Sequence, residues 1–249
     1  MLKTLGIVDA CYGSQPDRMK ACRRLGGKPV LEWVVRRATD CQQLSGVIVV
    51  TTQAPENAQL SRLVPQDVPI FVGRQPDRLG CLAAAVEEYS PRAIVRIGST
   101  CPFIDSMLID RLVIAAEADP DQDYVTYRSR DGRPAILSPV DVYAEWISAV
   151  AIHKAAKAAR SPQDRESITR YFCSHPKRFR TRFLPAPERI DRDDVRLTAD
   201  IEEDWEHTVT IFEALGPDEL DWQRIAELLD HQPALRKRMA ALNRAHART

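Results

Sequence analysis

The sequence predicts an α/β protein: a Rossmann-like open, mostly parallel sheet with helices on both faces. Three observations carry this. Short β-branched runs alternate with amphipathic stretches from Leu5 to about residue 128. The runs are apolar on both faces, as buried parallel strands are. The stretches between them are long enough for crossover helices, and such crossovers are right-handed.

Leu5–Val8 is the first strand, and it runs into Asp9-Ala10-Cys11-Tyr12-Gly13-Ser14. A polar loop with Arg18 and Lys20 follows, and Leu25-Gly26-Gly27-Lys28-Pro29-Val30-Leu31 opens a helix with Pro29 at its first position. Val30, Trp33, Val34 and Arg37 keep helical spacing. Gly46–Thr52, Ile70–Val72, Ala93–Ile97 and Tyr124–Tyr127 are the next strands. Helices between them are marked by Leu79, Leu82, Ala83 and Val86, and by Leu108, Leu112 and Ala115.

The pattern changes beyond residue 130. Asp131-Gly132 marks a turn, Ile136–Tyr143 reads as a strand despite Pro139, and 144–159 is alanine-rich and helical. Ser161-Pro162-Gln163-Asp164 has a helix-start pattern, with Ser161 as N-cap. Phe179–Leu184 alternates polar and apolar residues, and helices are expected near 202–215 and 219–230. Residues 1–230 read as a single domain containing an irregular segment at 130–190. Residues 231–249 are a basic helix or tail, either solvated or a binding patch.

Composition excludes several function classes. The 249 residues carry 35 basic and 35 acidic side chains, so no global field recruits nucleic acid or a membrane surface. No apolar run approaches the roughly 20 residues that span a bilayer, and no signal-peptide pattern opens the chain. The six cysteines contain no CxxC pair and read as free thiols of a cytoplasmic protein. Neither a Gly-x-Ser-x-Gly elbow nor a Gly-x-Gly-x-x-Gly fingerprint is present.

A strand ending in a Gly-Ser loop, with a lysine beyond it, suits a phosphate: backbone N–H groups converge on the anion and the lysine adds charge. Gly13, Ser14 and Lys20 therefore form a phosphate cradle or a plain strand-to-helix turn. Asp105 reads as a helix cap, and Asp200 as the N-cap of the helix that follows or as a ligand. Cys11 and Cys101 read as buried small hydrophobes.

Five stretches in order are similar to a known family: Ile7–Ser14, Leu25–Leu31, Phe71–Gly80, Arg96–Asp105, and Arg165-Glu166 with Thr198-Ala199-Asp200. Together they resemble the sugar cytidylyltransferases, in particular the branch associated with spore-coat polysaccharide synthesis, related to acylneuraminate and ketodeoxyoctonate cytidylyltransferases. The resemblance implies the nucleotide-diphospho-sugar transferase fold and transfer of a cytidylyl group from CTP to a sugar or sugar acid, with Mg²⁺ as cofactor. It implies nucleotide contacts from Ala10, Gly13, Ser14, Lys20, Asp77 and Arg96, with Lys20 and Arg18 as the catalytic cations. It further implies sugar contacts from Arg165 and Glu166, Mg²⁺ at Asp200, and a homodimer through segment 130–190.

The chain departs from the family pattern at charged positions. Cys11 and Cys81 stand where arginines are usual, Thr100 replaces a metal-binding aspartate, and Ser167 replaces a histidine. Asp9 and Asp17 add negative charge beside the expected triphosphate. Two readings follow: an active nucleotidyltransferase, or a catalytically silent homologue that binds a nucleotide, a sugar or a partner protein.

Overall fold

The computed structural model describes residues 2–12, 15–74 and 77–247. In chain order the elements are β1 (Thr4–Asp9), α1 (Gln15–Cys22), β2 (Arg24–Leu25), β3 (Lys28–Pro29), α2 (Val30–Thr39), β4 (Val47–Thr52), β5 (Ile70–Gly73), α3 (Arg78–Tyr89), β6 (Ala93–Gly98), α4 (Ser106–Glu117), β7 (Tyr124–Arg128) and β8 (Glu145–Ser148). They continue with α5 (Ala149–Ala158), α6 (Pro162–Glu166), α7 (Ile168–Ser174), β9 (Thr181–Pro185), α8 (Glu202–Leu215), α9 (Trp222–Asp230) and α10 (Pro233–His246).

Seven strands form one sheet in the order β5-β4-β1-β6-β8-β7-β9. All neighbours pair in parallel except β8, which runs antiparallel between β6 and β7. Alternation along the strands divides the core in two. Leu5, Ile7, Ile48, Val50 and Ile94 pack with α3, α5 and α7 on one face. Val8, Val49, Val95 and Ile97 pack with α2, α4, α9 and α10 on the other. Each fully buried Val, Leu or Ile contributes about 1.5–3 kcal/mol relative to exposure, so both faces hold their helices firmly. This is the open, mostly parallel sheet expected from the sequence.

Three local expectations are corrected. Leu25–Leu31 does not open a helix directly: Arg24–Pro29 forms a two-stranded hairpin turning at Gly26 and Gly27, with φ of 56° and 84°, and α2 begins at Val30. Glycine takes this left-handed backbone without steric cost. Pro29 precedes the first helical residue instead of occupying it. Ile136–Tyr143 is not a strand; Ala135–Leu137 makes one 3₁₀ turn, and Pro139 offers only its carbonyl, which accepts from Leu197 N and Thr198 N. The strand lies at Glu145–Ser148, where a helix was expected, because Trp146 and Ile147 fill the gap between β6 and β7.

Other expectations hold. Ser161 Oγ accepts from Asp164 N at 3.1 Å with Pro162 at the first turn. Asp105 caps α4 by accepting from Leu108 N at 2.9 Å, and its second oxygen accepts from Trp222 N at 2.9 Å. The C-terminal segment, in contrast, departs from the solvated helix or tail expected: Pro233–His246 is a helix docked on the core through buried Leu235 and Met239.

Candidate active site

The parallel strands β1, β4, β5 and β6 end on one edge of the sheet, where open α/β folds form their ligand crevice. Gly13 and Ser14, the expected phosphate cradle, lie outside the described residues. What flanks them is defined. Ala10 is buried, its N–H donates to Val50 O at 2.8 Å and its carbonyl accepts from Thr51 Oγ1 at 3.0 Å. Both of its polar groups are thus committed within the sheet, leaving it to support the loop.

Beneath the loop lies a buried ionic network. Arg96, 9% exposed, donates from Nη1 to Asp9 Oδ2 at 3.0 Å and from Nη2 to Thr169 Oγ1 at 3.1 Å, and its Nε pairs with Glu145. Tyr124 OH also donates to Glu145, and Thr169 Oγ1 donates to it at 2.8 Å. Arg78 adds a contact of 3.4 Å to Asp9 and donates to the Cys11 carbonyl at 2.9 Å. Burial raises the Asp9 pKa, but Arg78 and Arg96 outweigh it and hold the carboxyl below its ordinary value. Asp9 is therefore neutralised by two guanidinium groups. Arg96, expected at the nucleotide, is placed inside this network with every arm occupied.

Arg165 and Glu166 have similar local duties. Arg165 Nε pairs with Asp77 at 3.0 Å, and its Nη1 donates to the Ala156 and Ala159 carbonyls at the end of α5. Asp77 caps α3, accepting from Gly80 N at 2.8 Å. Glu166 accepts from Arg78 N at 3.2 Å. This cluster fixes α6 against the start of α3.

Lys20 and Asp200, 180 positions apart, meet at 2.8 Å. Asp17 approaches the same ammonium at 3.4 Å, and Thr198 Oγ1 donates to the other Asp200 oxygen at 2.9 Å. Lys20 is 19% exposed and Asp200 58%, so the pair opens to solvent. Burial lowers the Lys20 pKa, but Asp200 and Asp17 more than reverse this; burial likewise raises Asp200, and Lys20 with Thr198 reverses that. The alternative role of Asp200 as a helix cap is not realised. Asp204 Oδ2 accepts from the N–H groups of Asp200 and Ile201 instead. Arg18 stands on the same helix as Lys20 with a buried Nε that has no partner among the described residues.

Asp141 is a residue the sequence reading missed. It adopts φ 51°, its carboxylate has no hydrogen-bond partner among the described residues, and burial followed by the nearby charge of Asp200 pushes its pKa to about 7. Nothing in the local sequence marks it, since Pro139-Val140-Asp141 reads as part of a strand. A solvent-open carboxylate held by a lysine, with a second carboxylate near enough to feel its charge, suits Mg²⁺, which binds through one or two carboxylates together with phosphate oxygens and water. No group of three or more His, Cys, Asp or Glu side chains converges for a metal among the described residues, so an all-protein cage is not offered. Asp141 and Asp200 fit the shared arrangement.

Cys11 and Cys81 meet each other in the core. Cys11 Sγ donates to Val50 O at 3.7 Å, and interaction with Cys81, burial and Asp9 push the Cys11 thiol far up. Cys81 is drawn down by its interaction with Cys11.

A MobA-like NTP transferase domain matches residues 12–203. The chain belongs to this family of nucleotidyltransferases. It is 28% identical over 237 residues to the spore coat polysaccharide biosynthesis protein SpsF of Bacillus subtilis, covering 92% of this chain and 95% of that one. Among solved structures it is similar to a cytidylyltransferase from Leptospira borgpetersenii, with TM-score 0.83, 21% identity, and 94% and 97% of the two chains covered. It is also similar to a CMP:2-keto-3-deoxy-manno-octonic acid synthetase complexed with CTP, with TM-score 0.61, 15% identity, and 85% and 99% covered. The MobA-like family chain thus has the cytidylyltransferase fold.

Proposed function

We propose that the protein transfers a cytidylyl group from CTP to a hydroxyl of a sugar or sugar acid for surface polysaccharide synthesis. The acceptor hydroxyl oxygen bonds to the α-phosphorus as its O–H bond breaks and the proton passes to solvent, the bond from that phosphorus to the bridging oxygen of the β-phosphate breaks, and pyrophosphate leaves. The observation that carries this reading is the solvent-open Lys20–Asp200 pair, which also receives Thr198 Oγ1.

Lys20 and Arg18, both on α1, would offset charge that develops on the triphosphate oxygens, the dominant demand of phosphoryl chemistry. Asp200 and Asp141 would hold Mg²⁺, which supplies further neutralisation of that charge. Thr198 and Lys20 fix the orientation of Asp200. Arg96, Asp9 and Glu145 brace the end of β1. Arg165 and Asp77 do the same for the start of α3.

The test is pyrophosphate release from CTP with a panel of sugar and sugar-acid acceptors. Lys20→Ala should lower kcat by about 10²–10³-fold, the range for loss of one charge-stabilising donor. Asp200→Asn should act comparably. A silent homologue is the second reading, favoured by the buried Cys11–Cys81 pair where the family pattern has arginines. Pyrophosphate release that vanishes in Asp200→Asn excludes it.

A further inference from the structure

Helix α10 lies outside the residues matched by the family domain, and it is firmly placed. Leu235 and Met239 are buried, and Arg236 pairs with Asp194 at 2.8 Å. In the last turn, Asn243 Nδ2 donates to the carbonyls of Asp193 at 2.8 Å and Val195 at 3.0 Å. That loop runs directly into Thr198 and Asp200. Between the end of α10, the loop at 129–140 and the loop at 191–196 is a cavity of about 540 Å³ that reaches Asp200.

The charges on its walls can be accounted for one by one. Arg130 pairs with Asp193, Arg133 with Asp131, Arg192 with Asp194 and Asp230, and Arg196 with both oxygens of Asp204. Asp191 accepts the Arg130 N–H at 2.6 Å, and Asp200 is held by Lys20 and Thr198. His246, on the same rim, is engaged with the Leu242 carbonyl. Arg244 also lines the cavity and has neither a hydrogen bond nor an ion pair among the described residues. A ligand would meet paired guanidinium and carboxylate groups, which offer both donors and acceptors to hydroxyls, together with one uncommitted positive charge.

We infer that this cavity is the acceptor pocket, with α10 as one wall, and that Arg244 selects a hydroxyl-rich acceptor carrying one anionic group, a carboxylate or a phosphate. The volume is ample for a monosaccharide. Arg244 holds the anionic end, and the hydroxyls extend toward Asp200 and Lys20. This inference rests on the nucleotidyl-transfer reading only in treating Asp200 as the reacting end.

The test is calorimetry on the full chain with three probes: ketodeoxyoctonate for the carboxylate, glucose 6-phosphate for the phosphate, and glucose as the uncharged control. At least one anionic probe should bind more tightly than glucose. R244Q should weaken that probe tenfold or more, R244K should retain most of its affinity, and glucose should not distinguish the variants. Equal binding of glucose, no change in R244Q, or failure of both anionic probes to bind overturns the inference. CTP binding to the wild type is measured in parallel. Binding of CTP without either anion sinks the role of Arg244 and leaves nucleotidyl transfer standing. Arg244-dependent anion binding without CTP does the reverse.

Discussion

Arg96 sits beneath the crevice with Asp9, Glu145 and Thr169 filling its three directions, so its first effect is on stability. Removing one partner of a buried ionic cluster leaves uncompensated charge, at a cost of about 3–5 kcal/mol. Arg96→Met should therefore lower the urea midpoint by an amount equivalent to that cost. An unchanged midpoint would mean that the cluster adds nothing to the fold. Lys20→Ala should behave in the opposite way, because its partner Asp200 is largely exposed and such pairs contribute at most about 1 kcal/mol. At this scale the sequence was only partly readable. Lys20 and Asp200 stood out through the pattern around them, and the structure brings them together. Asp141 did not, because it acquires its place from a backbone turn at φ 51° and from Asp200, neither of which has a local signature. Arg96, Arg165 and Asp77 were recognisable as special, but a one-dimensional pattern cannot tell a residue that touches a ligand from one that braces the residues that do.

Among the elements, the β2–β3 hairpin ties α1 to α2 and carries a sharp steric constraint. A Cβ at Gly26 would lie 2.4 Å from Phe212 Cζ on α8, at a residue already in the left-handed region. Gly26→Ala should destabilise the protein by about 1–3 kcal/mol through overpacking alone, measurable by thermal or urea unfolding. Gly27→Ala meets no neighbour within 4 Å and should cost less. Helix α8 also buries His207, whose pKa is lowered by burial first and by Arg238 of α10 second, against the opposing pull of Asp204 and Glu206. The unfolded chain then binds the proton more readily than the folded one. This contribution is fully present above about pH 6.5 and is lost as pH falls through the lower native value. The urea midpoint should drop between pH 7.5 and 5, and His207→Phe should shrink that drop. Elements with strong periodicity were legible in the sequence, as at β1, β4 and α4. Residues 144–148 were not: alanines on either side suggested a helix, whereas the space between β6 and β7 makes Trp146 and Ile147 a strand.

The whole molecule brings residues from both ends of the chain to one crevice. Parallel strands end together at the carboxyl edge, the 139–141 and 197–200 loops are joined through the Pro139 carbonyl, and α10 lines the cavity that reaches Asp200. The alternation of strands and helices was enough to foresee the sheet and its two covered faces. It could not foresee that β8 runs antiparallel, since strand direction depends on which gap the chain re-enters. Among the described residues, no helix is long and apolar enough to cross a membrane. We propose that this crevice binds CTP with Mg²⁺, and calorimetric titration of the full chain measures that binding. CTP binding should strengthen with Mg²⁺, exceed that of ATP, and weaken at least tenfold in Lys20→Ala. Absence of binding to either nucleotide, with the protein folded, would contradict it.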